Sequence, residues 1–250
     1  MSEQWKVAII MPMYNAKDYI DRAIFSVINQ TYTNWVLYII DDCSTDDSYD
    51  YVKNKYNKQD NIILVKNERN KGAAITRNVG LKMCQENVVC FIDSDDEWLE
   101  NKLSLQISSI KAGYRIVIGN YLYKSKNEYY IKHSSNILTQ YQFLKKQYRV
   151  CFSSVCINFA HEEKEYFKKI GHEDFEFLNR CFDRFGTSYV VSEIVAKYHC
   201  QENSLSSNKI KAARWHFNIL KNEFGYSLPQ TIYYFFHYFY NALKFSKKYR

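Results

Sequence analysis

The sequence predicts an α/β fold with a mostly parallel central sheet flanked by helices and followed by a helical tail. Three observations carry this. Apolar strand-like runs alternate with helical patterns through the first 120 residues, the signature of βαβ units. Polar clusters fall directly after three of those runs, where open parallel sheets bind ligands. A chain of 250 residues with 46% hydrophobic and 17% aromatic content buries one substantial core, and two prolines and seven glycines argue against long disordered linkers.

The elements follow in order. Val7 to Met11 is the first strand, and Ala16 to Gln30 a helix whose Tyr19, Ile20, Ala23, Ile24, Val27 and Ile28 share one face. Trp35 to Ile40 is the second strand. Asp41 to Asp47 is a turn rich in helix-capping side chains ahead of a helix to about Tyr56. Ile62 to Val65 is the third strand, Gly72 to Gln85 a helix, Val88 to Ile92 the fourth strand, Leu99 to Ala112 a helix and Tyr114 to Gly119 the fifth strand. Beyond Asn120 the pattern loosens. It holds a hairpin around Asn127, helices near Gln140 to Tyr148, Glu162 to Ile170 and Asp174 to Phe185, and short strands near Cys151 to Ile157 and Tyr189 to Tyr198.

Charge divides the chain. From Asn208 to Arg250 eight bases meet one acid, Glu223, so this segment carries the whole net charge of +7 and residues 1–207 are neutral. We therefore read 1–207 as one domain and 208–250 as a basic, aromatic, helical tail. Seven cysteines form an odd set without a CxxC pair, and several lie in apolar runs where a reduced thiol acts as a small hydrophobe, so a cytoplasmic setting is expected. The N-terminus runs straight into a strand, and no stretch of eighteen apolar residues occurs, so neither a signal peptide nor a membrane span is expected.

The most informative residues are Asp93-Ser94-Asp95-Asp96, three carboxylates directly after a buried strand. Like charges that close repel, so a cation is expected among them. Carboxylate oxygens hold hard divalent ions whose remaining positions are filled by water and phosphate, which points to metal-assisted chemistry on a phosphorylated compound. Helix capping explains one or two of the three acids.

Together with Pro12-Met13-Tyr14-Asn15, Asp41-Asp42-Cys43-Ser44-Thr45-Asp46, Asn70-Lys71-Gly72, Thr76-Arg77-Asn78-Val79-Gly80 and Gly171-His172-Glu173-Asp174-Phe175, this cluster resembles the family 2 glycosyltransferases over roughly residues 5–206. The resemblance implies a GT-A fold and an inverting transfer from a nucleoside-diphosphate sugar, UDP favoured, with Mn2+ or Mg2+. It places Asp42 on a uracil N3–H, Arg77 near the base or diphosphate, and Pro12, Tyr14, Asn15, Asp93 and Ser94 along the nucleotide. Asp95, with Asp93, would ligate the metal, and Asp174 would be the general base, taking the acceptor proton opposite the leaving diphosphate. Asp96 and Glu173 would support the sugar, acceptor or metal. Many relatives place a histidine where this chain has Gln201; His199, two residues earlier, faces the same side of an extended segment and is the other candidate.

Within Thr231 to Lys248 an apolar stripe of Ile232, Phe235, Phe236, Phe239 and Leu243 lies beside Lys244, Lys247 and Lys248. That pattern suits an anionic membrane surface, or packing on the chain's own domain. Such enzymes extend glycan or lipid-linked acceptors in surface polysaccharide or lipopolysaccharide synthesis, peripheral at the inner face of the bacterial cytoplasmic membrane. Other classes fit less well. A catalytically silent nucleotide-sugar-binding or scaffold protein would not need Asp95 and Asp174. A haloacid-dehalogenase-like phosphatase carries its D-x-D after the first strand of its domain, not the fourth. Residues 1–207 offer no cationic surface for nucleic acid. His161-Glu162-Glu163-Lys164-Glu165 lacks the second histidine of a zinc protease, and Gly72 has no GxGxxG partner.

Overall fold

The computed structural model describes residues 5–160, 162–200 and 209–248. In chain order the elements are β1 (Val7–Met13), α1 (Ile20–Ile28), β2 (Trp35–Asp41), α2 (Ser48–Tyr56), β3 (Ile62–Lys66), α3 (Ala73–Met83), β4 (Val88–Phe91), β5 (Glu97–Trp98), α4 (Lys102–Lys111) and β6 (Ile116–Lys124). Then come β7 (Glu128–Ile131), β8 (Ile137–Leu138), α5 (Gln140–Leu144), β9 (Cys156–Asn158), α6 (Glu173–Phe185), β10 (Ser188–His199), α7 (Lys209–Asn218) and α8 (Leu228–Lys248).

One sheet runs β3-β2-β1-β4-β9-β6-β10-β5. It is parallel through β3-β2-β1-β4 and between β6 and β10, and the short β9 joins the two halves antiparallel to both neighbours. β1, β2 and β4 are apolar nearly throughout because both faces of the sheet are covered.

Register brings the polar clusters to one edge. Met13 stands opposite Asp41, and Ile10 opposite Phe91, so the chain leaves β1, β2 and β4 at the same end of the sheet. Pro12 opens that end. Ile10 O accepts from Ile92 N at 3.1 Å, and residues two apart face the same neighbour, so the amide Pro12 lacks is the one that would have continued the ladder toward β4.

Several expectations need correction. Residues 162–170 do not form a helix. Glu162 pairs with Arg115 and Arg184, Glu165 with Arg180, and Phe167 plugs into the core with its ring 4.0 Å from that of Phe177. Those tertiary contacts outweigh helix propensity. Cys151 to Ile157 is not one strand but a 3-10 turn, Phe152–Ser154, followed by β9. Helix α5 ends at Leu144 rather than Tyr148, because Lys146 turns left-handed at φ 52°. The first helix begins at Ile20 rather than Ala16, and the two-residue β5 has no periodicity by which to find it.

The tail packs on the body. Ile219 and Leu220 belong to the same core as the sheet, and Tyr238 and Thr231 are buried. The predicted stripe therefore splits: Phe235 packs inward, whereas Ile232, Phe236, Phe239 and Leu243 stay exposed.

Candidate active site

The loops after β1 and β2 are laced together. Asn15, at φ 48°, accepts from Thr45 N at 2.8 Å through its side chain, and its own N–H donates to Ser44 Oγ at 2.9 Å. Asp42, 3% exposed, accepts from Asn67 Nδ2 at 2.9 Å, Lys71 N at 2.9 Å and Gly72 N at 2.7 Å. Burial pushes its pKa up, but those donors outweigh it and hold the carboxyl below its usual range. Asp42 thus pins the N-terminus of α3. Gly72 sits there at φ 87°, a conformation that favours glycine. Tyr14 is exposed and Pro12 half-buried at this edge.

Helix α3 delivers Arg77. Gly80 lets the helix lie against β1, since a Cβ there would sit 2.8 Å from Ile10 Cγ2. The buried Arg77 guanidinium donates to Asp93 Oδ1 at 2.6 Å and to Glu173 Oε1 at 3.3 Å. It also packs over the Phe152 and Phe167 rings, at 5.3 and 5.5 Å. Arg77 thus sets one cation against Asp93 of the acidic cluster. Burial raises the Glu173 pKa, Arg77 opposes, and the charges of Asp174 and Asp93 add to the rise.

The turn Asp93 to Asp96 closes through Asp96 N on Asp93 O at 3.0 Å, with Ser94 and Asp95 between them. Arg22 of α1 donates to the Asp95 carbonyl at 2.6 Å. Asp96 is buried and accepts from Ser153 Oγ at 2.5 Å and His199 N at 3.1 Å. Burial first, then the charges of Asp93 and Asp95, hold its carboxyl well above the usual range. Ser153 also accepts from Asp93 N at 3.1 Å, so one hydroxyl clamps both ends of the turn. Composition and spacing gave no signal for Ser153. His199 Nε2 is buried without a hydrogen-bond partner and stands 3.8 Å from Glu97 Oε2. Gln201 lies outside the described residues.

Across the cleft, His172 (φ 58°) turns the chain into α6, whose first turn carries Glu173 and Asp174. Asp174 Oδ1 accepts from Phe175 N at 2.8 Å. Gly171 allows Trp215 of α7 to lie on this loop, since a Cβ there would fall 2.0 Å from the indole. Asp93, Asp96 and Asp174 line a single cavity of about 220 Å³ together with Lys146, Arg149 and His172. Asp42, Asp95, Arg77 and Glu173 are outside that lining. Among the described residues no three His, Cys, Asp or Glu side chains are grouped to hold a metal by themselves.

An acidic turn after β4 and a second acidic pair on α6 are thus joined by one arginine. Residues 8–170 match the model of Glycosyl transferase family 2. The chain belongs to that family. It is a glycosyltransferase with the GT-A fold, and the matched segment holds Asp42, Arg77 and Asp93 to Asp96, while Glu173 and Asp174 lie beyond it. An uncharacterized glycosyltransferase of Haemophilus influenzae is 32% identical over 96% of this chain and 98% of its own. WfgD of Escherichia coli, a UDP-Glc:alpha-D-GlcNAc-diphosphoundecaprenol beta-1,3-glucosyltransferase, is 32% identical over 97% and 95% of the two chains. The crystal structure of S. aureus TarS 1-349 with UDP-GlcNAc superposes with a TM-score of 0.72 at 20% identity, covering 87% of this chain and 67% of that one, which supports the fold.

Proposed function

We propose that this family 2 glycosyltransferase moves a sugar, with inversion, from a UDP-sugar to a hydroxyl of a lipid-linked glycan in surface polysaccharide or lipopolysaccharide synthesis. One observation carries the reading: Asp93 and Asp174, far apart in sequence, line one cavity, and Arg77 ties the turn of the first to the helix start of the second. The named activity of WfgD supports the donor and acceptor classes.

In such a transfer the acceptor oxygen bonds to the anomeric carbon from the face opposite the diphosphate, the sugar–diphosphate bond breaks, and the hydroxyl proton goes to a base. Asp174 is that base. With Oδ1 taken by the Phe175 amide, Oδ2 is the oxygen to receive the proton. Arg77 and Ser153 keep the Asp93 turn fixed while charge shifts toward the diphosphate.

The donor set suits Mn2+ or Mg2+. The Asp93 and Asp95 carboxylates are hard ligands of the kind that share such an ion with phosphate and water, and the unpartnered Nε2 of His199 lies by the same turn. A bound ion would neutralise charge on the departing diphosphate. Calorimetric titration of UDP, GDP and dTDP, with and without Mn2+, tests the assignment. UDP should bind most tightly, with Mn2+, and lose at least tenfold in Asp95→Ala. Equal UDP binding by that variant in the presence of metal would sink the metal role. UDP binding without transfer to any acceptor would favour the silent nucleotide-sugar-binding or scaffold reading.

The exposed apolar face of α8 beside Lys244, Lys247 and Lys248 suits an anionic inner membrane face, and no helix among the described residues is long and apolar enough to cross a bilayer. Replacing Ile232, Phe236 and Phe239 together by serine should weaken binding to phosphatidylglycerol vesicles at least tenfold; undiminished binding rules this surface out. Point changes are the proper test, because deleting α8 would uncover Tyr123, Arg149 and His216.

A further inference from the structure

Two cations in the cavity form no salt bridge among the described residues. Lys146, placed by its left-handed turn at the end of α5, and Arg149 line the cavity together with His172 and Asp174. Neither side chain makes a hydrogen bond or salt bridge to a described residue. Each instead lies against an aromatic ring of α8: the Lys146 amine is 4.5 Å from the Tyr238 centroid, and the Arg149 guanidinium 4.6 Å from that of Phe245. Ring faces attract a cation but accept none of its N–H groups in the way an oxygen does, so both donor sets remain available. Burial, then Arg149, pushes the Lys146 amine down to about 7, with Asp174 opposing, the behaviour of a cation that lacks an anion.

Resting on the glycosyl-transfer reading above, we propose that Lys146 and Arg149 form a diphosphate subsite for the acceptor, holding the two phosphates that join a glycan to its lipid. The donor's diphosphate would carry the same chemistry in the same cavity, and the titrations below distinguish the two. Lys146 feels Asp174, the proposed base, and Arg149 feels Tyr121, Tyr198 and Tyr123; neither is paired with Asp93 or Asp95. The rings that support both cations come from α8, whose opposite face exposes Ile232, Phe236, Phe239 and Leu243. A diphosphate seated there would have its sugar toward Asp174 and its lipid toward that helix. The two charges suit this ligand for a simple reason: a diphosphate presents several oxygens, which the Arg149 fork and the Lys146 ammonium can share.

The test uses the full chain with Lys146→Gln, Arg149→Gln and the charge-preserving Lys146→Arg. Farnesyl diphosphate serves as a soluble probe, titrated into UDP-saturated protein. It should bind the wild type, lose at least tenfold in each glutamine variant, and stay within about threefold in Lys146→Arg. In transfer assays the preference for a diphosphate-linked acceptor over the same sugar on an uncharged alkyl chain should fall at least tenfold in the glutamine variants, with UDP affinity retained. Equal farnesyl diphosphate binding by all four proteins overturns the subsite. A parallel loss of UDP affinity also overturns it, by assigning the cations to the donor. Absence of transfer by the wild type to either acceptor would count against the glycosyl-transfer reading alone, since the farnesyl diphosphate titration judges the subsite independently.

Discussion

At the scale of single residues, Arg77 connects the two halves of the site. It is buried, and its bonds to Asp93 and Glu173 are the only ion pairs that either carboxylate makes with a described residue. Removing one partner of a buried pair leaves charge uncompensated, at a cost of about 3–5 kcal/mol. Arg77→Met is therefore expected to lower unfolding stability by roughly 3 kcal/mol, measured by urea denaturation, with Arg77→Lys intermediate because an ammonium cannot present the same fork to two acids. A loss below about 0.5 kcal/mol, the size of a surface pair, would show the bridge to be incidental. The sequence named Arg77, Asp93 and Glu173 individually, but not that they meet, because that contact depends on how α3, the β4 turn and α6 converge. Ser153 left no trace, since an isolated serine in a turn carries no pattern. Asp42 was legible as a residue at the end of β2, yet its donors Lys71 and Gly72 come from another loop and could not be read locally.

At the scale of elements, α7 and α8 are fastened over the site by aromatic packing. His216 is buried and stacks on Tyr238, with ring centroids 3.8 Å apart, and neither ring nitrogen has a hydrogen-bond partner. Burial, then the charges of Lys146 and His172, hold its pKa well below 6.5; burial also brings His172 down to about 4. The sign follows directly. A base with a depressed folded-state pKa contributes full stability above its unfolded value of about 6.5, and that stability falls as the pH drops below it, by about 1.4 kcal/mol per unit for each such histidine. Wild-type stability should thus decline from pH 6.5 to 5. His216→Phe should decline less steeply than the wild type, because one depressed histidine is gone while His172 remains, and should gain about 1 kcal/mol at pH 7 by removing two unsatisfied nitrogens. Chemical denaturation at stepped pH reads both, and identical slopes in the two proteins would refute the assignment. The strands and early helices were legible because their period matches their burial. The chain at 162–170 was not, since its order comes from salt bridges to Arg115, Arg180 and Arg184 and from the Phe167 ring, all supplied by distant segments. The α8 stripe was visible, but periodicity could not say which side of it meets the body.

At the scale of the whole molecule, the parallel half of the sheet gathers the ends of β1, β2 and β4, while α6 and the loop after α5 bring the opposite wall. The α/β class was legible from alternation alone; the reversal at β9 was not, because three buried residues carry no direction. The proposed function divides the labour across one cavity: donor contacts on the β4 side, proton transfer from the α6 side. Transfer rate and UDP affinity of Asp174→Asn, measured on the same preparation with Mn2+, test it most directly. Turnover should fall at least a hundredfold, the scale of a lost general base, with UDP affinity within twofold of wild type. Turnover retained within tenfold, or UDP affinity lost in step with turnover, would contradict it.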